Sequence, residues 1–200
     1  MKSYLLSTIT LALVANGAAA SLEYSGLQNI AIPTDFTGVF VDIVTGASST
    51  ADDADFSDSD VNFFFGGSGV ANGLEFQPAR TGTGNLDAIV NLAPGSIVDG
   101  SLNFSSGFGG SQNEHLGVSL DQFQIGETGY LGFQFDIDGS IHFGFMRVQL
   151  GNADTGGMIL DWTYESTPNT GVTVVPEPGH YAVMIGLLGL GIVLWRRRQD

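Results

Sequence analysis

The chain has 200 residues, six basic against 21 acidic, a formal charge of −15 and no cysteine. Such acidity argues against nucleic acid or anionic lipid as a partner, since either needs a basic face, and it suits divalent cations. Without cysteine there is no disulfide framework, no thiolate zinc site and no thiol catalysis.

Residues 1–20 read as a secretory signal peptide. Lys2 supplies the positive n-region and Leu5–Ala15 the apolar h-region, and Asn16-Gly17 interrupts the run before it is long enough for a retained anchor. Ala18 and Ala20 form an A-x-A cleavage signature that makes Ser21 the first residue of the processed chain. The signal helix therefore stands outside the fold. From Ser21 to Pro178 the chain has a comfortable length for one domain with its own core. Once Lys2 and the tail arginines are removed, Arg80 and Arg147 face 20 acidic residues, a net charge of −18.

Within that body, short apolar runs are punctuated about every 8–12 residues by Gly, Asn, Asp or Ser, the rhythm of an all-β sandwich or barrel. The predicted strands, in order, are Leu27–Ile32, Val39–Val44, Val61–Phe65, Leu74–Gln77, Ala88–Asn91, Ile97–Asp99, Leu116–Leu120, Tyr130–Ile137, Ile141–Leu150 and Met158–Glu165. No 3.6-residue pattern runs through the body, so helix should be scarce. The expected architecture is an antiparallel, jelly-roll-like β-sandwich over residues 21–170. The most specific local feature is Asp138-Gly139 between two β-patterned runs, a hairpin signal because both turn positions need φ > 0. On one side Leu131, Phe133, Phe135 and Ile137 alternate with Gly132, Gln134 and Asp136. On the other side Phe145-Met146 and Val148 break the alternation. A second turn at Asp154–Gly157 leads into the next run and makes a three-strand meander.

Residues 171–178 read as a linker and 179–200 as a membrane tail. Pro176 and Pro178 lack an N–H and fix φ, which keeps Val175–Pro178 extended. Tyr181–Trp195 is an uncharged apolar run, followed by Arg196, Arg197 and Arg198. Fifteen helical residues span roughly 22 Å against a hydrocarbon core of about 30 Å, and the flanking Tyr181, Trp195 and snorkelling arginines help close the gap. One C-terminal transmembrane helix is thus expected. The positive-inside rule puts its arginines in the cytoplasm and everything before Pro176 outside.

Val-Pro-Glu-Pro, a glycine-rich membrane segment and a terminal basic cluster, over about the last 25 residues, resemble the PEP-CTERM sorting signal of exosortase-processed Gram-negative proteins. A second block is similar to the region that precedes that signal in such proteins: G-Y-L-G-F-Q-F, H-F-G-F-M-R-V and G-M-I-L-D-W-T-Y-E-S-T-P, from Gly129 to Pro168. Phe143 and Phe145 stand where Tyr and Trp are common there. The resemblance implies cleavage near Pro176, Glu177 and Pro178 by an exosortase-type membrane protease, after signal peptidase has acted at the front end. It also implies a membrane-tethered intermediate at the inner membrane, then a location on the cell surface or outside it, in association with exopolysaccharide.

Chemistry-bearing motifs are few. The acidic loop Asp52–Asp60 could supply oxygens to calcium, with Asp53, Asp55, Ser57, Asp58 and Asp60 as the ligand set, or be a solvated acidic loop. It is not an EF-hand, because Asp58 stands at the glycine position and Phe64 at the final glutamate position. Asp136, Asp138 and Ser140 are explained by the hairpin turn. His115 and His142 lack a metal-ligand spacing, and Ser68 among glycines lacks the context of a nucleophile elbow. The resulting expectation is a non-enzymatic structural or adhesive surface protein. The alternative is a lectin-like carbohydrate-binding module, with a secreted hydrolase less favoured.

Overall fold

The computed structural model describes residues 21–50, 61–72, 75–85, 87–105, 107–108, 123–152 and 154–176. In chain order the strands are β1 (Leu22–Tyr24), β2 (Ile30–Ile32), β3 (Val39–Val41), β4 (Ser48–Ser49), β5 (Val61–Phe64), β6 (Gly69–Asn72) and β7 (Phe76–Arg80). There follow β8 (Ile97–Val98), β9 (Asn103–Phe104), β10 (Gly107–Phe108), β11 (Thr128–Ile137), β12 (Ser140–Gln149), β13 (Gly157–Glu165) and β14 (Val172–Thr173). Among the described residues there is no α-helix, only a tight turn at Phe65–Gly67. The protein is all-β and its ladders are antiparallel.

One sheet runs β1-β13-β12-β11-β7-β9, with β2 also on β13; the other runs β10-β6-β5-β3-β4; β14 and β8 form a separate ribbon. The centre is the predicted meander β11-β12-β13. Its first turn is as expected: Asp138 and Gly139 take φ of 53° and 81°, and Asp136 Oδ1 accepts the Gly139 N–H at 2.6 Å. The second turn is held by Asn152, whose Oδ1 accepts the N–H of Asp154 and Thr155.

The failed alternation in β12 has a physical cause. Residues 142–148 are all buried, because both faces of this strand are covered. Met146 and Val148 enter a large cluster with Leu131, Phe133 and Phe135 of β11 and Val39, Val41, Phe63 and Val70 of the other sheet. Phe143 and Phe145 enter a second cluster with Leu92, Val98, Val172 and Val174. A strand buried on both faces reads as a continuous apolar run. Gly144 is required by close packing: a Cβ there would lie 2.7 Å from Phe133 Cε2 and 2.8 Å from the Thr163 carbonyl.

Several short strands carry no sequence signal of their own: β1, β4, β6, β9, β10 and β14. Two-residue strands are made by the ladder they join. β14 lies inside the stretch read as linker; Val172 and Val174 are buried under the sheet, so the fold runs to Val174, beyond residue 170. The predicted strand Leu116–Leu120 lies outside the described residues. On the opposite edge, β1 and β2 share β13 as their partner, interrupted at 25–29, where Gln28 and Asn29 both donate to the Leu160 carbonyl. A register shift between Arg147 and Val148 faces that interruption through β13.

Candidate functional site

Two charged side chains occur inside otherwise apolar strands, and the register places them opposite each other. Arg147 of β12 pairs with Asp161 of β13. The side chains are 5% and 3% exposed. Arg147 Nε donates to Asp161 Oδ1 at 2.7 Å, and Nη2 donates to Oδ2, a two-pronged geometry suited to guanidinium and carboxylate. The Tyr24 hydroxyl of β1 donates to Asp161 Oδ2 at 2.8 Å. Burial, helped by the hydrogen bond and the charge of Asp161, pushes the Tyr24 phenol up, so it stays a donor. This group ties three adjacent strands together.

A second buried carboxylate ends β13. Glu165 is 2% exposed, and its Oε1 accepts the N–H of both Ser21 and Thr167, each at 2.9 Å. Burial alone would raise this carboxyl. The hydrogen bonds from Thr167 and Ser21, with a contribution from His142, outweigh that and hold it below its ordinary value. His142 Nδ1 lies 2.9 Å from the Glu165 carbonyl oxygen, which can only accept, so Nδ1 carries the proton. The ring is buried and packs on Phe135.

A cleft of about 230 Å³ opens beside β1 and β13. Its lining includes Glu23, Tyr24, Gln28, Thr45, Trp162 and Tyr164. Trp162 belongs to the floor, since it is 1% exposed and its Nε1–H donates to the Ile43 carbonyl at 2.9 Å. Glu23 and Tyr164 are register partners and share the Trp162 face of the sheet, whereas the Tyr24 side chain, 50% exposed, stands on the other face, where it meets Asp161. Burial and the Glu23 charge raise the Tyr164 phenol, which keeps it neutral and able to donate. The arrangement can hold a small polar molecule by stacking and hydrogen bonds. Among the described residues that line it, Glu23 is the single carboxylate, whereas glycoside hydrolysis uses a flanking pair.

The expected site residues are distributed as follows. Ser21 is described and joined to Glu165. Pro176 is half-buried, two residues after the fully buried Val174. Ala18, Ala20, Glu177, Pro178, Arg196, Arg197 and Arg198 lie outside the described residues, as do Asp53, Asp55, Ser57, Asp58 and Asp60. The signal helix and the transmembrane helix also fall outside them. Among the described residues no cluster of three or more His, Asp or Glu is placed to hold a metal. Asp136 is engaged in the hairpin turn, and the Ser68 hydroxyl donates to the Phe65 carbonyl at 2.9 Å.

Sequence reasoning missed the Arg147–Asp161 pair and the role of Glu165. The signal was present: Arg147 is the lone arginine of one predicted strand, and Asp161 is the acidic residue in the middle of the next. No family model, no curated protein and no solved structure matches this chain.

Proposed function

We propose that the chain is an exported surface protein of PEP-CTERM type. Its body is a jelly-roll-like antiparallel β-sandwich, delivered by a signal peptide at 1–20 and released at its C-terminal sorting signal by an exosortase-type protease. Its role is structural or adhesive, at the cell surface or in the extracellular polymer, and not enzymatic. One observation carries this reading: the described fold lies within the interval between the two proposed processing points. It includes Ser21, whose backbone is bonded to Glu165 and Ser166, and among the described residues the last buried one is Val174, with Val175 already 41% exposed. A protease acting near Pro176–Pro178 would therefore meet a chain whose preceding residue, Val175, is exposed. The sandwich is supported by a shared core filled from both sheets, and by a chain that crosses between them at β2–β3, β6–β7, β9–β10 and β10–β11.

The test is intact mass of the native protein from the cell surface and the medium of its host. A species starting at Ser21 and ending near Pro176–Pro178 is expected. A species that keeps Arg196–Arg198 would refute processing and leave a membrane-tethered domain.

A second reading has its own observation. The half-buried Tyr164 beside its register partner Glu23 resembles the aromatic-plus-polar surface that sugars stack on. It favours a lectin-like module that binds exopolysaccharide, with calcium at Asp53, Asp55, Ser57, Asp58 and Asp60 as its cofactor. Retention on immobilised host polysaccharide that falls at least about tenfold in Tyr164→Ala would support it, since that substitution removes a stacking face. Equal retention of both proteins would exclude the cleft.

A further inference from the structure

We propose that Glu165 is the seat of the processed N-terminus: cleavage after Ala20 turns the Ser21 nitrogen into an ammonium that pairs with this buried carboxylate and locks β1 onto β13. The proposal rests on the reading that residues 1–20 are a removable signal peptide, and it assigns that cleavage a structural consequence inside the fold.

The geometry is already in place. Ser21 N lies 2.9 Å from Glu165 Oε1 while it is still an amide of the Ala20–Ser21 bond. On the other side of the residue, the Ser21 carbonyl accepts the N–H and the hydroxyl of Ser166, each at 2.9 Å. Leu22 then pairs with Glu165 in the ladder. Ser21 is thus clamped at both its backbone polar groups, on the strand edge that holds the carboxylate.

Charge supply points the same way. A buried carboxylate needs a partner, and cations are scarce in this body. Arg147 is committed to Asp161, and Arg80 donates to the carbonyls of Asp87 and Ser105. The body contains no lysine. Signal peptidase supplies the missing cation: water adds across the Ala20–Ser21 peptide bond, its hydroxyl goes to the Ala20 carbonyl carbon, and a proton goes to the Ser21 nitrogen. The free amine then takes a second proton from solvent. A neutral N–H···O⁻ bond becomes a charge-assisted one, of a class roughly twice as strong as neutral pairs. The ionisable groups around that nitrogen are Glu165, Glu23 (whose Oε1 accepts the Ser21 hydroxyl at 3.3 Å) and His142 on β12, next to the Glu165 carbonyl. Two carboxylates against one imidazole favour the protonated amine.

The sequence offers a clean probe. Lys2 is the chain's lone lysine, so after cleavage the Ser21 α-amine is the only primary amine left. The exported protein is purified from its host and its mass measured. Acetylation of the amine is then followed against pH in the wild type and in Glu165→Gln. The wild-type amine is expected to titrate above the ordinary range of about 7.7–8.0, and to acetylate at pH 8 at least about fivefold more slowly than in Glu165→Gln. Thermal unfolding of acetylated against untreated wild type, which needs no variant, is expected to show a lower Tm after acetylation. An amine that titrates in the ordinary range and an unchanged Tm would overturn the proposal alone. A mature chain that does not begin at Ser21 would overturn it together with the signal-peptide reading, and the mass distinguishes the two cases.

Discussion

Asp161→Ala is the substitution that tests the buried charge pair most directly. It removes the acceptor of two guanidinium bonds and one phenol bond, and leaves Arg147 as a cation 4% exposed to water. Breaking one side of a buried pair costs about 3–5 kcal/mol, because the remaining charge is left without its counter-charge. The Tyr24 hydroxyl adds less, roughly 0.5–1 kcal/mol, since its half-exposed ring can turn that group to water. Set against a typical domain stability of about 5–15 kcal/mol, the loss is a large share of the whole. In urea, with a slope of about 1–3 kcal/mol/M, the midpoint should fall by at least about 1 M. Two controls separate charge from shape. Tyr24→Phe should cost no more than about 1 kcal/mol. The double variant Arg147→Met with Asp161→Leu should recover most of the loss, because an apolar pair of similar volume avoids the desolvation of both ions. If Asp161→Ala shifts the midpoint no more than Tyr24→Phe does, the carboxylate is not what neutralises Arg147, and the account of this strand edge fails.

Gly144→Ala should destabilise by about 1–3 kcal/mol in the same urea assay, because the new methyl meets the Phe133 ring and the Thr163 carbonyl on two neighbouring strands. Glu165 has a lowered value in the folded state, so its contribution is present above the ordinary carboxylate range, about 4.3, and is lost as pH falls through the folded value. The acid limb of a pH–stability curve should therefore flatten in Glu165→Gln; an unchanged limb would contradict the role of the Ser21 and Thr167 hydrogen bonds to this carboxylate. Trp162 is the only tryptophan left once the tail is removed. Its emission in the processed protein should be that of a buried indole and should shift to the red on unfolding. Trp162→Phe, which leaves the Ile43 carbonyl without its indole donor, should cost at least about 1 kcal/mol by chemical denaturation followed by circular dichroism.

What was legible in the sequence was whatever is written in local patterns. The hairpin at Asp138-Gly139 needs two residues at positive φ, and few dipeptides meet that need as well. β11 alternates because its inner row, Leu131, Phe133 and Phe135, packs in the main cluster while Gln134 faces out to bond Gln77. β12 resisted reading because its second face is covered by the β8–β14 ribbon, a contact between segments that lie far apart in sequence. The same reason hid β14: Val172 and Val174 look like any linker valines until Val98 is placed against them. For the site, Ser21 could be named as a cleavage point from its neighbours. Its link to Glu165 spans 144 positions and exists only because β1 joins the far edge of β13.

The burial of both body arginines has a consequence for partners that neither residue announces alone. Arg80 is 2% exposed and Arg147 4%. Burial lowers the pKa of Arg80, yet its guanidinium remains charged because its starting value is so high. With Lys2 and Arg196–Arg198 removed as proposed, no lysine or arginine remains to meet solvent, while ten of the twelve described acidic residues can. The processed protein therefore meets an anionic polymer as a like charge, and that repulsion is screened over about 8 Å at physiological ionic strength. The proposed association with exopolysaccharide then has two physical routes. A neutral glycan can be gripped by stacking and hydrogen bonds, as at Glu23 and Tyr164, and should hold in high salt and in chelator. An acidic glycan needs divalent ions as bridges and should release when a chelator removes them. Elution of the native protein from its own matrix with salt, with chelator, or with neither separates these routes. Release by monovalent salt alone would contradict both, since it implies a basic contact surface that this chain, once processed, does not possess.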